Sequence, residues 1–137
     1  MVCSSRNEYI ITFSIDGHIK FWRKVYHLVE FVKHFKAHNG LITSISLSRT
    51  HDKMCTVSVD RTLKIFDVLN CDLMTVVRLP FSPFACEFIP QANSDSLLVA
   101  VSEDKSGRIM IINPDSEVVS KQEEEVEVIN ETNTANK

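Results

Sequence analysis

Only three glycines occur in 137 residues, Gly17, Gly40 and Gly107. None belongs to a glycine-rich loop, so no phosphate-cradling turn is written into the chain. Long apolar runs are also missing. No segment approaches the roughly 20 residues that a membrane-spanning helix requires. The N-terminal MVCSSRNEYIITFS lacks the basic-then-apolar layout of a secretory leader. A surplus of positive charge is absent too: the net charge is −3, which argues against direct nucleic-acid binding through phosphates. The four cysteines, Cys3, Cys55, Cys71 and Cys86, show no close paired spacing. They therefore spell neither a disulfide framework nor a thiolate metal site. A reducing, intracellular compartment is the simplest reading, with no secretion. There the sequon at Asn130 would meet no glycosyltransferase.

What is present is a globular composition, 44% hydrophobic and 24% charged, with charge unevenly spread. Residues 1–114 hold 13 basic and 11 acidic residues, while 115–137 hold 7 acidic and 2 basic. The final stretch, DSEVVSKQEEEVEVINETNTANK, reads as an acidic disordered tail, with room for a marginal helix around 117–128. Before it, the pattern is that of strands. YIITFS, HIKFW, ITSISLS, TLKIFDV, LMTVVRL, LLVAVS and RIMII are short, β-branched or aromatic, and divided by polar punctuation. ITSISLS alternates between Ile42, Ile45, Leu47 and its hydroxyl residues, with one slip near Thr43. No sustained 3.6-residue apolar period appears before residue 115. The fold class is all-β.

The chain also repeats itself. DGHIKFW at Asp16–Trp22 returns 44 residues later as DRTLKIFD at Asp60–Asp67. Aligning Ile19, Leu63 and Ile109 gives steps of 44 and 46 residues. Each copy places an apolar strand before the aligned one: Tyr9–Ser14, Met54–Val59 and Leu97–Ser102. A step of this length holding four strands is the blade of a β-propeller.

These residues carry a resemblance to the WD40 repeat family. KAHNGLITSISLSRTHDKMCTVSVDRTLKIFDV, Lys36–Val68, is similar to one WD40 repeat without a gap. His38 stands in place of the family's Gly-His histidine, Asp60 in place of the turn aspartate, and Phe66-Asp67 in place of Trp-Asp. TFSIDGHIKFW resembles the second half of the preceding repeat, with Thr12, Asp16 and Trp22 in matching places. VSEDKSGRIMI resembles a third, atypical copy, with Ser106 at the turn. DGHIKFW followed by VEFVKHFKAH is similar to the WD region of the peptidylprolyl isomerases that carry WD repeats. The resemblance covers about residues 8–113 and implies an open partial propeller of about two and a half to three four-stranded blades. The blades fall at about 1–35, 36–80 and 81–114, followed by the tail at 115–137. The His38-to-Asp60 spacing of 22, counted back from Asp16, runs off the start of the chain. The first blade is therefore expected to lack its histidine and its first strand, and the third to lack its fourth strand.

His38, Thr56 and Asp60 could pass for a catalytic triad. Against that, the resemblance implies a structural network in each blade, drawn from Thr12, Asp16, Trp22, His38, Thr56, Asp60 and Phe66. Phe66 cannot donate the bond an indole N–H would give, leaving the second blade one member short. His34 and His38 are four apart, as in a helical zinc site, but the segment reads as strand and loop, and no third ligand completes a set. No metal and no cofactor are expected. Arg23, Lys24, Lys33 and Lys36 make a modest basic cluster, read as a solvated face. Gly17 and Gly107 are expected to supply positive φ in tight turns. The reading is a non-catalytic protein-interaction scaffold, with possible self-association through open blade faces and no membrane partner. The resemblance implies spliceosomal partners, pre-mRNA splicing and a nuclear location. Two alternatives stand beside it. The chain could be the front part of a prolyl isomerase whose cyclophilin domain lies elsewhere, or a truncated gene product without independent function.

Overall fold

Side-chain alternation decides how these strands stack. A strand exposes successive residues on opposite faces, so a strand apolar at every position needs cover on both sides. MCTVS, Met54–Ser58, carries no charged residue and is buried along its whole length, with the hydroxyls of Thr56 and Ser58 enclosed as well. The computed structural model describes residues 2–4, 8–92 and 96–114; the acidic stretch 115–137 lies outside the described residues. The described residues contain eleven strands and no helix.

Three antiparallel sheets result. The first joins β1 (Val2–Ser4), β2 (Tyr9–Phe13), β3 (His18–Val25) and β4 (Leu28–Lys36) in chain order. The second joins β5 (Ile42–Leu47), β6 (Lys53–Ser58), β7 (Thr62–Asp67) and β8 (Asp72–Arg78). The third joins β9 (Pro83–Ile89), β10 (Leu98–Glu103) and β11 (Ile109–Ile112). Together they form an open, partial β-propeller. One expectation is corrected: the first sheet has its first strand, with Val2 facing Thr12 and Ser4 facing Ile10. The three-residue β1 is too short for the periodicity of the sequence to reveal. The third sheet has three strands among the described residues.

The middle sheet is packed on both faces. Met54 and Phe66 join Ile11, Ile19 and Phe21 of the first sheet in one core. Cys55, Val57, Leu63 and Ile65 join Phe88, Val99, Val101 and Ile112 of the third sheet in the other. Phe21 is fully buried, and removing such a side chain from water stabilises by about 1.5–3 kcal/mol. The slip in ITSISLS is a real feature: the β5–β6 register shifts between Ile42 and Ser44. The bulge frees the Thr43 hydroxyl to donate to the Val57 carbonyl and, across the sheets, to the Pro83 carbonyl, both at 3.3 Å.

The two outer sheets each leave one face uncovered. On the third sheet, Ile112 points to the middle sheet, so Ile109 and Ile111 point away; they are 65% and 53% exposed. On the first sheet, Ile11 and Phe21 point inward, leaving Ile10, Thr12, Lys20 and Trp22 on the open face. Apolar surface of this kind, and the edge that β11 leaves unpaired among the described residues, invite association. Sedimentation of the tag-free chain at micromolar concentration is expected to show species larger than a monomer. A single sharp monomer boundary would refute this.

Tight turns join the second and third strands of each sheet. Gly17 (φ 87°), Arg61 (φ 63°) and Gly107 (φ 70°) occupy left-handed conformations there. The carbonyl of Gly17 accepts from the Ala37 and His38 amides at 2.9 and 3.1 Å, tying the first sheet's turn to the chain that leads into the second. At the next junction the Arg61 carbonyl accepts from Leu79 at 2.8 Å. The following residue is Pro80, which has no amide hydrogen to give. A Cβ on Gly17 would lie 2.2 Å from the His38 carbonyl oxygen, whereas one on Gly107 would meet nothing within 4 Å. Gly17→Ala is therefore expected to cost more than about 2 kcal/mol in thermal or urea unfolding, and Gly107→Ala only the roughly 1–2 kcal/mol of its backbone conformation. Equal losses would contradict this account.

Candidate functional site

The polar cluster of the middle sheet is built by three local features. The loop after β4 delivers His38, β6 delivers Thr56, and the β6–β7 turn delivers Asp60. The turn has the pattern Ser58-Val59-Asp60-Arg61-Thr62. Within it, the Asp60 carboxylate accepts from the Thr62 amide at 3.0 Å and the Thr62 hydroxyl at 2.6 Å, and the Ser58 hydroxyl accepts from the Asp60 amide at 3.2 Å. Short polar side chains that bond their own backbone are the usual makers of such turns.

His38 plugs into this turn and is 1% exposed. Its Nδ1 lies 3.2 Å from Asp60 Oδ2 and 2.9 Å from Thr62 Oγ1, and its Nε2 lies 2.8 Å from Thr56 Oγ1. A neutral imidazole with its proton on Nδ1 satisfies every contact: Nδ1–H donates to the carboxylate, and Nε2 accepts from the Thr56 hydroxyl. The Asp60 carboxylate also accepts from the Asn39 amide at 2.9 Å. Burial holds the His38 imidazole below its ordinary value of 6.5, and Lys64 adds to this, against the opposing pull of Asp60. At Asp60, burial pushes the carboxyl up, but the Thr62, Asn39 and His38 contacts outweigh it and hold the group below 3.8.

The other sequence candidates are placed as follows. Trp22 Nε1 donates to Thr12 Oγ1 at 3.0 Å. Asp16 does not join that pair; it accepts from the Ser14 hydroxyl and from the His18 amide. Phe66 is corrected from network member to core residue, with its ring 6.4 Å from Phe21 and 5.8 Å from Phe35. The two sheets thus hold complementary halves of one arrangement: the first has indole and threonine, the second has threonine, imidazole and carboxylate. His34 and His38 do not converge. His34 Nε2 lies 2.6 Å from His18 Nδ1 on the open first sheet, while His38 is buried in the turn. Among the described residues no cluster of three potential metal ligands occurs. The basic cluster is partly spent on ion pairs, Arg23 with Glu30 at 3.2 Å and Lys33 with Asp72 of the second sheet at 2.5 Å.

Thr62 and Ser58 were missed in the sequence, although the repeat carries a signal for them. SIDGH and SVDRT align, so Ser14 matches Ser58 and His18 matches Thr62. In the third sheet Ser106 takes the aspartate's capping part, its hydroxyl accepting from the Arg108 amide at 3.2 Å.

Sheets built on this recurring turn make the chain a partial β-propeller, similar to those of WD40-repeat proteins. Residues 29–67 match the profile of the WD domain, G-beta repeat. The chain is 41% identical to "Peptidylprolyl isomerase domain and WD repeat-containing protein 1" of Mus musculus and of Homo sapiens, over 111 residues. That span is 81% of this chain and 17% of each relative. It is also 41% identical over 110 residues to "Peptidyl-prolyl cis-trans isomerase cyp15" of Rhizopus delemar, covering 80% of this chain and 18% of that one. The chain thus spans less than a fifth of the length of these relatives. The likeness lies over its WD region, and it does not cover their isomerase domain. Among solved structures, the β-propeller domain of Cps50 (Swd1) from Myceliophteria thermophila superposes with a TM-score of 0.65 at 18% identity, covering 84% of this chain and 35% of that one. That likeness concerns the fold.

The triad residues bond one another rather than facing a cleft, so their loss is expected to show in stability. His38→Ala and Asp60→Ala each strand buried partners and are expected to cost about 1–3 kcal/mol in urea unfolding. Unchanged midpoints would show that the network does not hold. The unfolded chain protonates His38 near pH 6.5, while the folded chain keeps it neutral to lower pH. Its contribution is therefore full above about pH 6.5 and is lost as pH falls from there toward the lower folded value, with a slope of up to about 1.4 kcal/mol per pH unit. His38→Gln is expected to flatten that part of the stability profile.

Proposed function

We propose that this chain is a non-catalytic protein-binding scaffold that acts with the splicing machinery in the nucleus. The observation that carries the scaffold reading is the contrast between a closed polar network and open sheet faces. His38, Thr56, Asp60 and Thr62 satisfy one another inside the fold. The Thr56 hydroxyl that donates to His38 is fully buried with it, out of reach of a substrate that nucleophilic catalysis would have to meet. The uncovered face bearing Ile109 and Ile111 has the apolar character of a docking surface. WD40 propellers generally serve protein–protein interaction. Support for the splicing and nuclear parts comes from the resemblance to WD-repeat isomerases alone, and the isomerase activity named in those relatives is assigned to their other domain.

Two measurements test this. The purified chain is expected to leave the cis–trans exchange rate of a prolyl test peptide at the uncatalysed background; acceleration that scales with chain concentration would overturn the non-catalytic reading. Tagged chain in nuclear extract is expected to co-sediment with the spliceosomal small nuclear RNAs. Ile109→Lys with Ile111→Lys, both at exposed positions, is expected to release it. Sedimentation of the wild-type chain at the position of free protein would overturn the splicing assignment.

A further inference from the structure

We propose that Cys55 and Cys86 are an inter-blade thiol pair that a small-molecule disulfide oxidises to a disulfide bond, fastening the third sheet to the second. The two residues lie 31 apart in sequence, on β6 and β9, and belong to different sheets. Their Sγ atoms are 3.5 Å apart, and both thiols are free. A disulfide has an S–S length of about 2.05 Å, so closing the bond brings the two sulfurs about 1.5 Å nearer. Cys71, the third free buried cysteine among the described residues, lies in the opposite core against the first sheet, with its Sγ 3.5 Å from the Val68 carbonyl.

The loop entering the junction that this bond would fasten carries fewer polar ties than its counterpart at the first junction. The first junction has two backbone bonds to Gly17 and the His38 network. At the equivalent place the second has the Leu79 amide on Arg61, then Pro80, with neither amide hydrogen nor imidazole. Otherwise the sheets meet through apolar packing and a few hydroxyl contacts, such as Ser44 Oγ accepting from the Cys86 amide at 3.2 Å. Among the described residues the third sheet has three strands and one open face, so it is covered by a neighbouring sheet on one side only.

Opening is needed, because both thiols are buried and burial, with the Cys86 thiol beside it, pushes Cys55 well above its ordinary value. Buried thiols are inert until deprotonated and reached. Once the sheet opens, the Cys86 thiolate attacks one sulfur of a small disulfide such as oxidised glutathione. A mixed disulfide forms and one small thiol leaves. On reclosing, the Cys55 thiolate attacks the Cys86 sulfur, forming the protein disulfide and expelling the second small thiol. Two cysteine thiols are oxidised, one small disulfide is reduced, and the two protons end on the released thiols. The product closes a loop of about 30 residues, restricting the unfolded chain.

The test equilibrates the full chain in glutathione buffers of graded oxidised-to-reduced ratio, followed by acid quenching, alkylation and peptide mapping. The expected product has lost two hydrogen masses and yields one cross-linked peptide joining Cys55 and Cys86. Its melting temperature is expected to rise by roughly 5–10 °C over the reduced chain. Cys86→Ser is expected to abolish both changes. Full alkylation of both cysteines at every ratio would overturn the proposal. So would mixed disulfides without the cross-link, or a cross-link to Cys3 or Cys71. The mapping on the wild-type chain decides the matter even if the variant fails to fold.

Discussion

The buried imidazole of His38 is the point on which the first two sheets turn. Its backbone amide hangs on the Gly17 carbonyl of one sheet, while its ring nitrogens are taken up by Thr56 and by the Asp60 turn of the next. One residue thus positions a loop, a turn and a strand pair at once. The constraint is severe because a buried imidazole needs a partner for each nitrogen. It also explains why Gly17 is glycine: the backbone of His38 occupies the volume that a Cβ would need. The turn's own conformation does not demand glycine, since Arg61 adopts the same left-handed region in the next sheet.

Around that clamp, the stack is organised by cover. β6 is buried on both faces and has lost all alternation, while β10 and β11 alternate between the middle sheet and solvent. The contrast shows how each sheet in a repeat architecture takes its stability from its neighbours. The middle sheet carries both cores, and each outer sheet contributes to only one.

Much of this was legible in the residues. The 44-residue echo located the turns, and the broken alternation at Thr43 marked a bulge that the structure uses to reach Pro83. Other features were hidden for physical reasons. β1 spans three residues, too few for any period to show. β9 begins at Pro83 and reads PFACEFI, a strand whose leading proline disguises it. Phe66 sat in the indole's place in the repeat, but a ring without a donor settles into the apolar core instead of the polar network. The Cys55–Cys86 contact depends on how two sheets are laid together, and no spacing within a strand encodes that.

Pro80 gives the molecule a polarity that its repeats alone would not suggest. The loop entering the second sheet hangs by two backbone bonds on Gly17, while the one entering the third hangs by one on Arg61. At the third sheet the missing loop bond is replaced by bonds from β5, whose Thr43 and Ser44 side chains reach Pro83 and Cys86.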